Sequence, residues 1–178
     1  MRCFIALEIP EEVSDYINRI AADMSKYVDG NYVPEMNRHV TLAFLGEVEP
    51  TLISRVCDII RDTVNGMKPC DVSLQKFILL QKSSIAALEI KKNSQIAELA
   101  TALRDNLIEA GFNLDVKEFR PHITVARRIS YDLPYREICK LLTIYNRPHL
   151  SDEVTLYCST LGGEHAVYQA LGSFKLRG

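Results

Sequence analysis

The sequence predicts an α+β protein in which helices alternate with strands that pair antiparallel. Apolar residues recur at helical spacing in several separate stretches, and strand-like segments lie between them. Two pairs of these segments are close enough along the chain to form hairpins. Hairpins pair antiparallel, and this favours an α+β fold over a doubly wound parallel sheet.

The chain opens with a strand and a helix. Residues 2–9 are rich in Phe, Ile and Leu, and Pro10 can open a helix because the first helical residue needs no N–H donor. The helix then carries one apolar stripe at helical spacing, formed by Val13, Ile17, Ile20, Met24 and Val28.

Three further stretches predict helices. One follows Pro50 and stops before Gly66, and another runs towards Gly111 with Ser94 as its candidate N-cap. A weaker helix is expected over residues 133–142. The two stronger stripes consist of Leu52, Val56, Ile60 and Val64, and of Ile96, Leu99, Leu103 and Leu107.

The segments between these helices are predicted as strands. Two hairpins are expected, the first joined by residues 81–83 and the second across Gly162 and Gly163. The predicted strands after the first are 39–45, 72–80, 84–91, 112–117, 121–127, 152–160 and 166–176.

Composition and charge exclude several classes of protein. The 178 residues are 47% hydrophobic and 25% charged, which is typical of a globular chain with its own core and rules out disorder. With 21 basic and 23 acidic residues the net charge is −2, whereas a protein that coats nucleic acid non-specifically needs an excess of basic residues to contact many phosphates. The longest apolar runs, such as residues 77–80, are too short to span a membrane, and residues 1–7 are too short for a secretory signal. Five scattered cysteines without a CxxC pair indicate reduced thiols in a cytoplasmic protein.

One short motif occurs twice. Residues 39–43 (HVTLA) return 83 residues later as residues 122–126 (HITVA). A period near half the chain suggests a single domain over residues 1–178, built from two similar lobes that face each other, with one motif (39–42 and 122–125) in each.

The motif places its polar side chains on one face of a strand, because side chains two residues apart point the same way. His39 and Thr41 would share one face, and His122 and Thr124 one face of their own strand. The opposite faces would be apolar and turned to a core, with Val40, Leu42 and Phe44 in the first copy and Ile123 and Val125 in the second.

Two imidazoles and two hydroxyls in one cleft suit in-line displacement at phosphorus. An imidazole titrates near neutral pH, so one can accept a proton while the other donates one, and hydroxyls can orient the phosphoryl oxygens. Arg120, Arg127 and Arg128 lie nearby and can neutralise phosphate charge. Arg127 has the opposite parity to His122, so it reaches the cleft only if the strand bulges or ends there.

Other chemistries find less support in the sequence. Thr is a poor metal ligand, and no His-x-His, His-Glu-x-x-His or Asp cluster is present. No cysteine adjoins either motif, and no GxGxxG or Walker loop indicates a nucleotide cofactor. His149 and His165 lack the motif and are predicted to be loop residues.

The sequence resembles the two-histidine (2H) phosphoesterases, and most closely the RNA 2′,3′-cyclic phosphodiesterases, also called RNA 2′,5′-ligases. The similarity covers nearly the whole chain, and its most specific parts are the two spaced motifs with their matching flanks. The matching segments are residues 2–10, 33–48, 119–127, 154–157 and 174–176.

The resemblance implies a bilobal fold of pseudo-symmetric antiparallel sheets, with helices outside and the cleft between. It implies hydrolysis of an RNA 2′,3′-cyclic phosphate to a 2′-phosphate without metal or cofactor. Carried over by position, His39 is the proton donor to the leaving 3′ oxygen and His122 the base that activates water. Thr41, Thr124 and Arg127 would bind the phosphate.

Other functions stay open from the sequence. The substrate could instead be a cyclic phosphate on a small nucleotide or a 2′,5′-linked oligonucleotide, and reverse 2′-5′ ligation follows from microscopic reversibility. A module that binds RNA ends or nucleotide phosphates without turnover, or a purely structural protein, belongs to a different class. The expected partner is RNA with a 2′,3′-cyclic phosphate end, tRNA-like fragments included, and the chain is expected to be a monomer without membrane or metal.

Overall fold

The computed structural model describes residues 1–80, 84–114, 118–163 and 165–178. Within these ranges it contains two four-stranded antiparallel sheets and four α-helices, which confirms the predicted α+β class. The strands are β1 Arg2–Leu7, β2 Asp29–Tyr32, β3 Val40–Glu47, β4 Cys70–Asp71, β5 Leu74–Leu80, β6 Ile85–Ile90, β7 His122–Ser130, β8 Leu150–Ser151, β9 Glu153–Gly162 and β10 His165–Lys175. The helices are α1 Glu11–Met24, α2 Ile53–Val64, α3 Ser94–Glu109 and α4 Tyr135–Leu141.

Each large sheet contains one copy of the motif. Sheet A has the order β10-β9-β1-β3, and His39 immediately precedes its edge strand β3. Sheet B has the order β2-β7-β6-β5, and His122 begins its inner strand β7. Strands β4 and β8 form a separate pair. Both predicted hairpins are present, as β5 with β6 and as β9 with β10; residues 81–83, predicted to join the first, lie outside the described residues.

The two motif strands pair with their neighbours in the same register. In each case one residue of the motif strand, Leu42 or Val125, is passed over by the pairing, which is a β-bulge. The equivalent pairs are Leu7–Val40 and Leu88–Ile123, Ala6–Thr41 and Ala87–Thr124, and Ile5–Ala43 and Ala86–Ala126. The two copies of the motif therefore share the same bulged backbone and the same pairing with a neighbouring strand.

The helices cover the sheets with their apolar stripes. Helix α1 buries Val13, Ile17, Ile20 and Met24, while its first turn presents Glu11 and Glu12 to solvent. Burying an aliphatic side chain of this size contributes about 1.5–3 kcal/mol relative to leaving it exposed. The helix stripes therefore hold the two sheets in place around one continuous core.

The structure corrects three details of the predicted elements. Helix α3 is capped by Asn93 and not by Ser94: the Asn93 side chain accepts a hydrogen bond from the Ile96 backbone N–H at 3.0 Å. Residues 112–114 form no strand, and the remainder of that predicted strand, 115–117, lies outside the described residues. Strand β2 was not predicted, because its sequence DGNY carries no apolar alternation.

The cysteines of the chain are free thiols. Among the residues that the structure covers, no helix combines the length and apolar character needed to cross a membrane.

Candidate active site

Both motifs line one cavity of about 630 Å³ between the sheets. His39 and Thr41 form part of one wall, and His122 and Thr124 part of the other. The alternation of side chains along β3 and β7 turns these residues to the cavity while Val40 and Ile123 are fully buried in the core. All four motif side chains predicted to act together thus reach a common space.

The bulges bring one more residue of each strand into the cavity. Because each bulge shifts the alternation by one residue, Phe44 and Arg127 return to the same side as the motif histidines. This meets the condition under which Arg127 was expected to reach the cleft. The prediction that Phe44 faces the core is wrong, because the bulge turns it to the other side: Phe44 is 63% exposed and lines the cavity.

His39 sits among aromatic rings. Its ring stacks on Phe4 at a centroid distance of 4.8 Å and meets the ring of Tyr168 edge-on at 5.5 Å. The pKa of His39 is lowered to about 4: burial is the main cause, a backbone hydrogen bond with Asn37 opposes it, and the nearby Arg127 and His122 add smaller lowering effects. The imidazole is therefore neutral at neutral pH while the cavity holds no anion.

His122 is oriented by its own chain. Its Nδ1 lies 2.8 Å from the backbone carbonyl oxygen of Arg120, and this geometry requires Nδ1 to be the protonated nitrogen. In the neutral ring, Nε2 then carries the lone pair. His39 also has a backbone hydrogen-bond partner two residues before it, Asn37.

The segment before His39 is fixed by a buried arginine. Arg38 is only 8% exposed and donates hydrogen bonds to the Val33 carbonyl at 3.2 Å and to Asn18 Oδ1 at 2.6 Å. Glu35 accepts a bond from Ser14 Oγ at 2.8 Å in the same network. These bonds tie the approach to β3 onto helix α1 and so set the position from which His39 enters the cavity.

Two of the three predicted arginines line the cavity. Arg127 and Arg128 are consecutive, and both reach it because Arg128 has a left-handed backbone (φ +52°) that breaks the alternation. Arg120 is not among the lining residues; its guanidinium pairs with Glu118 at 2.9 Å. Its contribution to the site is the carbonyl that holds His122.

The structure adds residues from sheet A that the motif could not indicate. Arg2, His165 and Tyr168 line the cavity from β1 and β10. The prediction that His165 is a loop residue is wrong, since it begins β10 and reaches the cavity. His149 does lie between elements, as predicted, and is not among the lining residues.

The cavity is electropositive. Three arginines and three histidines line it, and its lining includes no Asp or Glu among the described residues. Within the described ranges, no three or more His, Cys, Asp or Glu side chains are grouped so as to hold a metal ion. In a chain of net charge −2, this arrangement concentrates positive charge where an anionic ligand would bind.

The sequence is similar to that of known relatives over its full length. A sequence model of the 2′-5′ RNA ligase superfamily matches residues 9–159. A Thermotoga maritima protein named RNA 2′,3′-cyclic phosphodiesterase is 28% identical over 182 residues, which cover 100% of this chain and 97% of that protein.

Solved structures share the fold. A Thermus thermophilus protein superposes with a TM-score of 0.84 at 23% identity, covering 100% of this chain and 99% of the other. Escherichia coli LigT in complex with 3′-AMP superposes with a TM-score of 0.78 at 24% identity, covering 99% and 98%. With a sequence match over residues 9–159 and two histidine motifs facing one cavity, the chain belongs to the 2′-5′ RNA ligase superfamily.

Proposed function

We propose that this protein hydrolyses RNA 2′,3′-cyclic phosphate ends to 2′-phosphates by proton transfer from His39 and to His122, without a metal. The observation that carries the proposal is that both imidazoles and both threonine hydroxyls of the motifs line one cavity. The name of the Thermotoga maritima relative supports the same reaction. Each half of the chain contributes one histidine and one threonine.

His122 acts as the general base. Its Nδ1 proton is engaged by the Arg120 carbonyl, so the Nε2 lone pair takes a proton from water. The water oxygen then forms a bond to phosphorus as the bond from phosphorus to the 3′ oxygen breaks. His39 donates its proton to that leaving oxygen, so the product carries a 3′-hydroxyl and a 2′-phosphate.

Thr41, Thr124 and Arg127 stabilise the phosphoryl group. The hydroxyls donate hydrogen bonds to its non-bridging oxygens, and the guanidinium balances the negative charge that grows in the transition state. Donors fixed on strands need little reorganisation during the reaction, which is where such groups contribute most to rate.

The substrate itself supplies the condition for His39 to act as an acid. In the free protein the pKa of His39 is about 4, too low for a proton donor near neutral pH. A phosphate anion beside His39 favours the charged form of the ring, offsets the charge of Arg127 and raises that pKa. Protonation of His39 is thereby coupled to binding.

The same groups can run the reaction in reverse. With an RNA 5′-hydroxyl in place of water, His122 would activate that hydroxyl and form a 2′-5′ linkage. Water is in large excess, so hydrolysis is the dominant direction.

Product analysis with an oligonucleotide that ends in a 2′,3′-cyclic phosphate tests the proposal. We expect a 2′-phosphate product in the presence of EDTA, and a loss of about 10²–10⁴-fold in kcat for His39→Ala and for His122→Ala. His149→Gln, which changes a histidine outside the cavity, is the matched control and should keep wild-type turnover. Near wild-type rates for either motif variant, or a 3′-phosphate product, would contradict the assignment.

A small cyclic nucleotide is the second candidate substrate. The cavity of about 630 Å³ falls in the range of pockets that enclose small ligands. Turnover of a cyclic mononucleotide and of an oligonucleotide must therefore be compared directly.

A further inference from the structure

One wall of the cavity continues beyond the two motifs along sheet A. In the pairing of its strands, Arg2 of β1 lies opposite Ser159 of β9, and Ser159 lies opposite Tyr168 of β10. Residues paired in this way share a face of the sheet, and all three line the cavity. They form a row across one face of the sheet.

At one end of this row Tyr168 contacts the His39 ring, and Arg2 lies at the other end. Phe4, two residues along β1 from Arg2, stacks on His39 at 4.8 Å and contacts the Tyr168 ring at 5.0 Å. Two residues of a strand span roughly 6.6 Å. A ligand whose phosphate sits at His39 can therefore extend over Phe4 and reach Arg2.

Arg2 is free to bind an anion. Its side chain is exposed, and among the described residues no carboxylate forms an ion pair with it, whereas Arg61, Arg104 and Arg120 are each paired. A guanidinium offers two parallel N–H donors that match a phosphodiester, and the Ser159 hydroxyl adds a polar group on the same face of the sheet.

We propose that Arg2, with Ser159, binds the phosphodiester that precedes the terminal nucleotide, so that the preferred substrate is an oligonucleotide and not a cyclic mononucleotide. The proposal rests on the proposed function, since it takes the scissile phosphate to lie between His39 and His122. It assigns sheet A, and not the Arg128 side of the cavity, as the path of the RNA.

The test compares substrates of increasing length. Cyclic 2′,3′-AMP has no second phosphate, whereas a dinucleotide ending in a 2′,3′-cyclic phosphate has one. We expect the wild-type kcat/KM to be higher for the dinucleotide than for cyclic AMP. Arg2→Ala should lower kcat/KM about 10- to 100-fold for the dinucleotide and change it by less than about threefold for cyclic AMP. The slope of log KM against log salt for the dinucleotide should fall by about 0.7, as for one lost phosphate contact in single-stranded RNA.

Two variants serve as controls. Arg19→Ala removes the same charge from the exposed face of α1, outside the cavity, and should leave both substrates unaffected. Arg2→Lys keeps the positive charge but lacks the planar guanidinium with its two parallel donors, so its kcat/KM for the dinucleotide should lie between those of wild type and Arg2→Ala.

Three results would overturn the proposal. They are equal wild-type kcat/KM for the two substrates, an Arg2→Ala loss that does not depend on length, and a length-dependent loss that appears in Arg128→Ala instead. Affinities for the 2′-phosphorylated mononucleotide and dinucleotide test the subsite without turnover. A protein that fails to hydrolyse either substrate but still loses dinucleotide affinity through Arg2→Ala would refute the reaction and retain the subsite.

Discussion

At the scale of single residues, the protonation of His39 depends on what occupies the cavity. Burial against Phe4 and Tyr168, and to a smaller extent the charge of Arg127, holds the pKa of His39 low in the free protein. A ligand of negative charge beside the ring would favour its charged form. Under the proposed function, we therefore expect His39 to be protonated when an anionic ligand is bound.

This coupling can be observed by NMR titration of the His39 ring. We expect a pKa near 4 in the free protein and a clearly higher value with 2′-AMP bound, because the phosphate offsets the charge of Arg127. Since kcat/KM reports groups of the free enzyme and kcat those of the complex, the alkaline limb of kcat should lie at higher pH than that of kcat/KM. An unchanged His39 titration with 2′-AMP bound would reverse the roles of the two histidines.

Arg128 holds its position at the cost of backbone strain. A left-handed conformation costs a non-glycine residue about 1–2 kcal/mol. Arg128→Gly should therefore raise stability or leave it unchanged, with a gain of about 1 kcal/mol or less because glycine also increases the entropy of the unfolded chain. Thermal unfolding measures this, and a clearly lower Tm would mean that the Arg128 side chain stabilises the fold.

At the scale of elements, the cap of α3 gives a matched pair of variants. Asn93→Ala removes the bond to the Ile96 N–H and a second bond from Asn93 Nδ2 to the Asp71 carbonyl, so it should destabilise the protein by about 1–2 kcal/mol. Ser94→Ala, one residue inside the helix, should change stability by less than about 0.5 kcal/mol. Denaturant unfolding measures the loss of stability in each variant. Equal losses would indicate that Ser94 contributes to the cap as much as Asn93 does.

The helices and most strands can be predicted from the sequence, but the two β-bulges cannot. Spacing of apolar residues is enough to locate the helices and most strands, because each pattern is local. The bulges at Leu42 and Val125 depend on the strand alongside, and no local signal identifies them. The consequence is visible at Phe44, which simple alternation assigns to the core and the bulge turns towards the cavity.

At the scale of the whole molecule, the repeated motif is enough to foresee two walls and one cleft. It cannot foresee Arg2, His165 or Tyr168, because these reach the cavity through pairing between strands at opposite ends of the chain. β1 lies between β3 and β9, so residues near position 2 and near position 160 become neighbours only in the finished sheet. A repeated motif can be seen in the sequence itself, whereas residues brought together only by strand pairing leave no such sign.

That strand order also constrains how the protein is made. Because β1 is internal to sheet A, its second edge stays open on the ribosome until β9 has emerged, more than 140 residues later. Sheet B, formed from β2, β5, β6 and β7, can assemble earlier, since its strands are all synthesised before β9. During synthesis the half that carries His122 is therefore expected to be complete first, while the unpaired edge of β1 is the segment most in need of a chaperone.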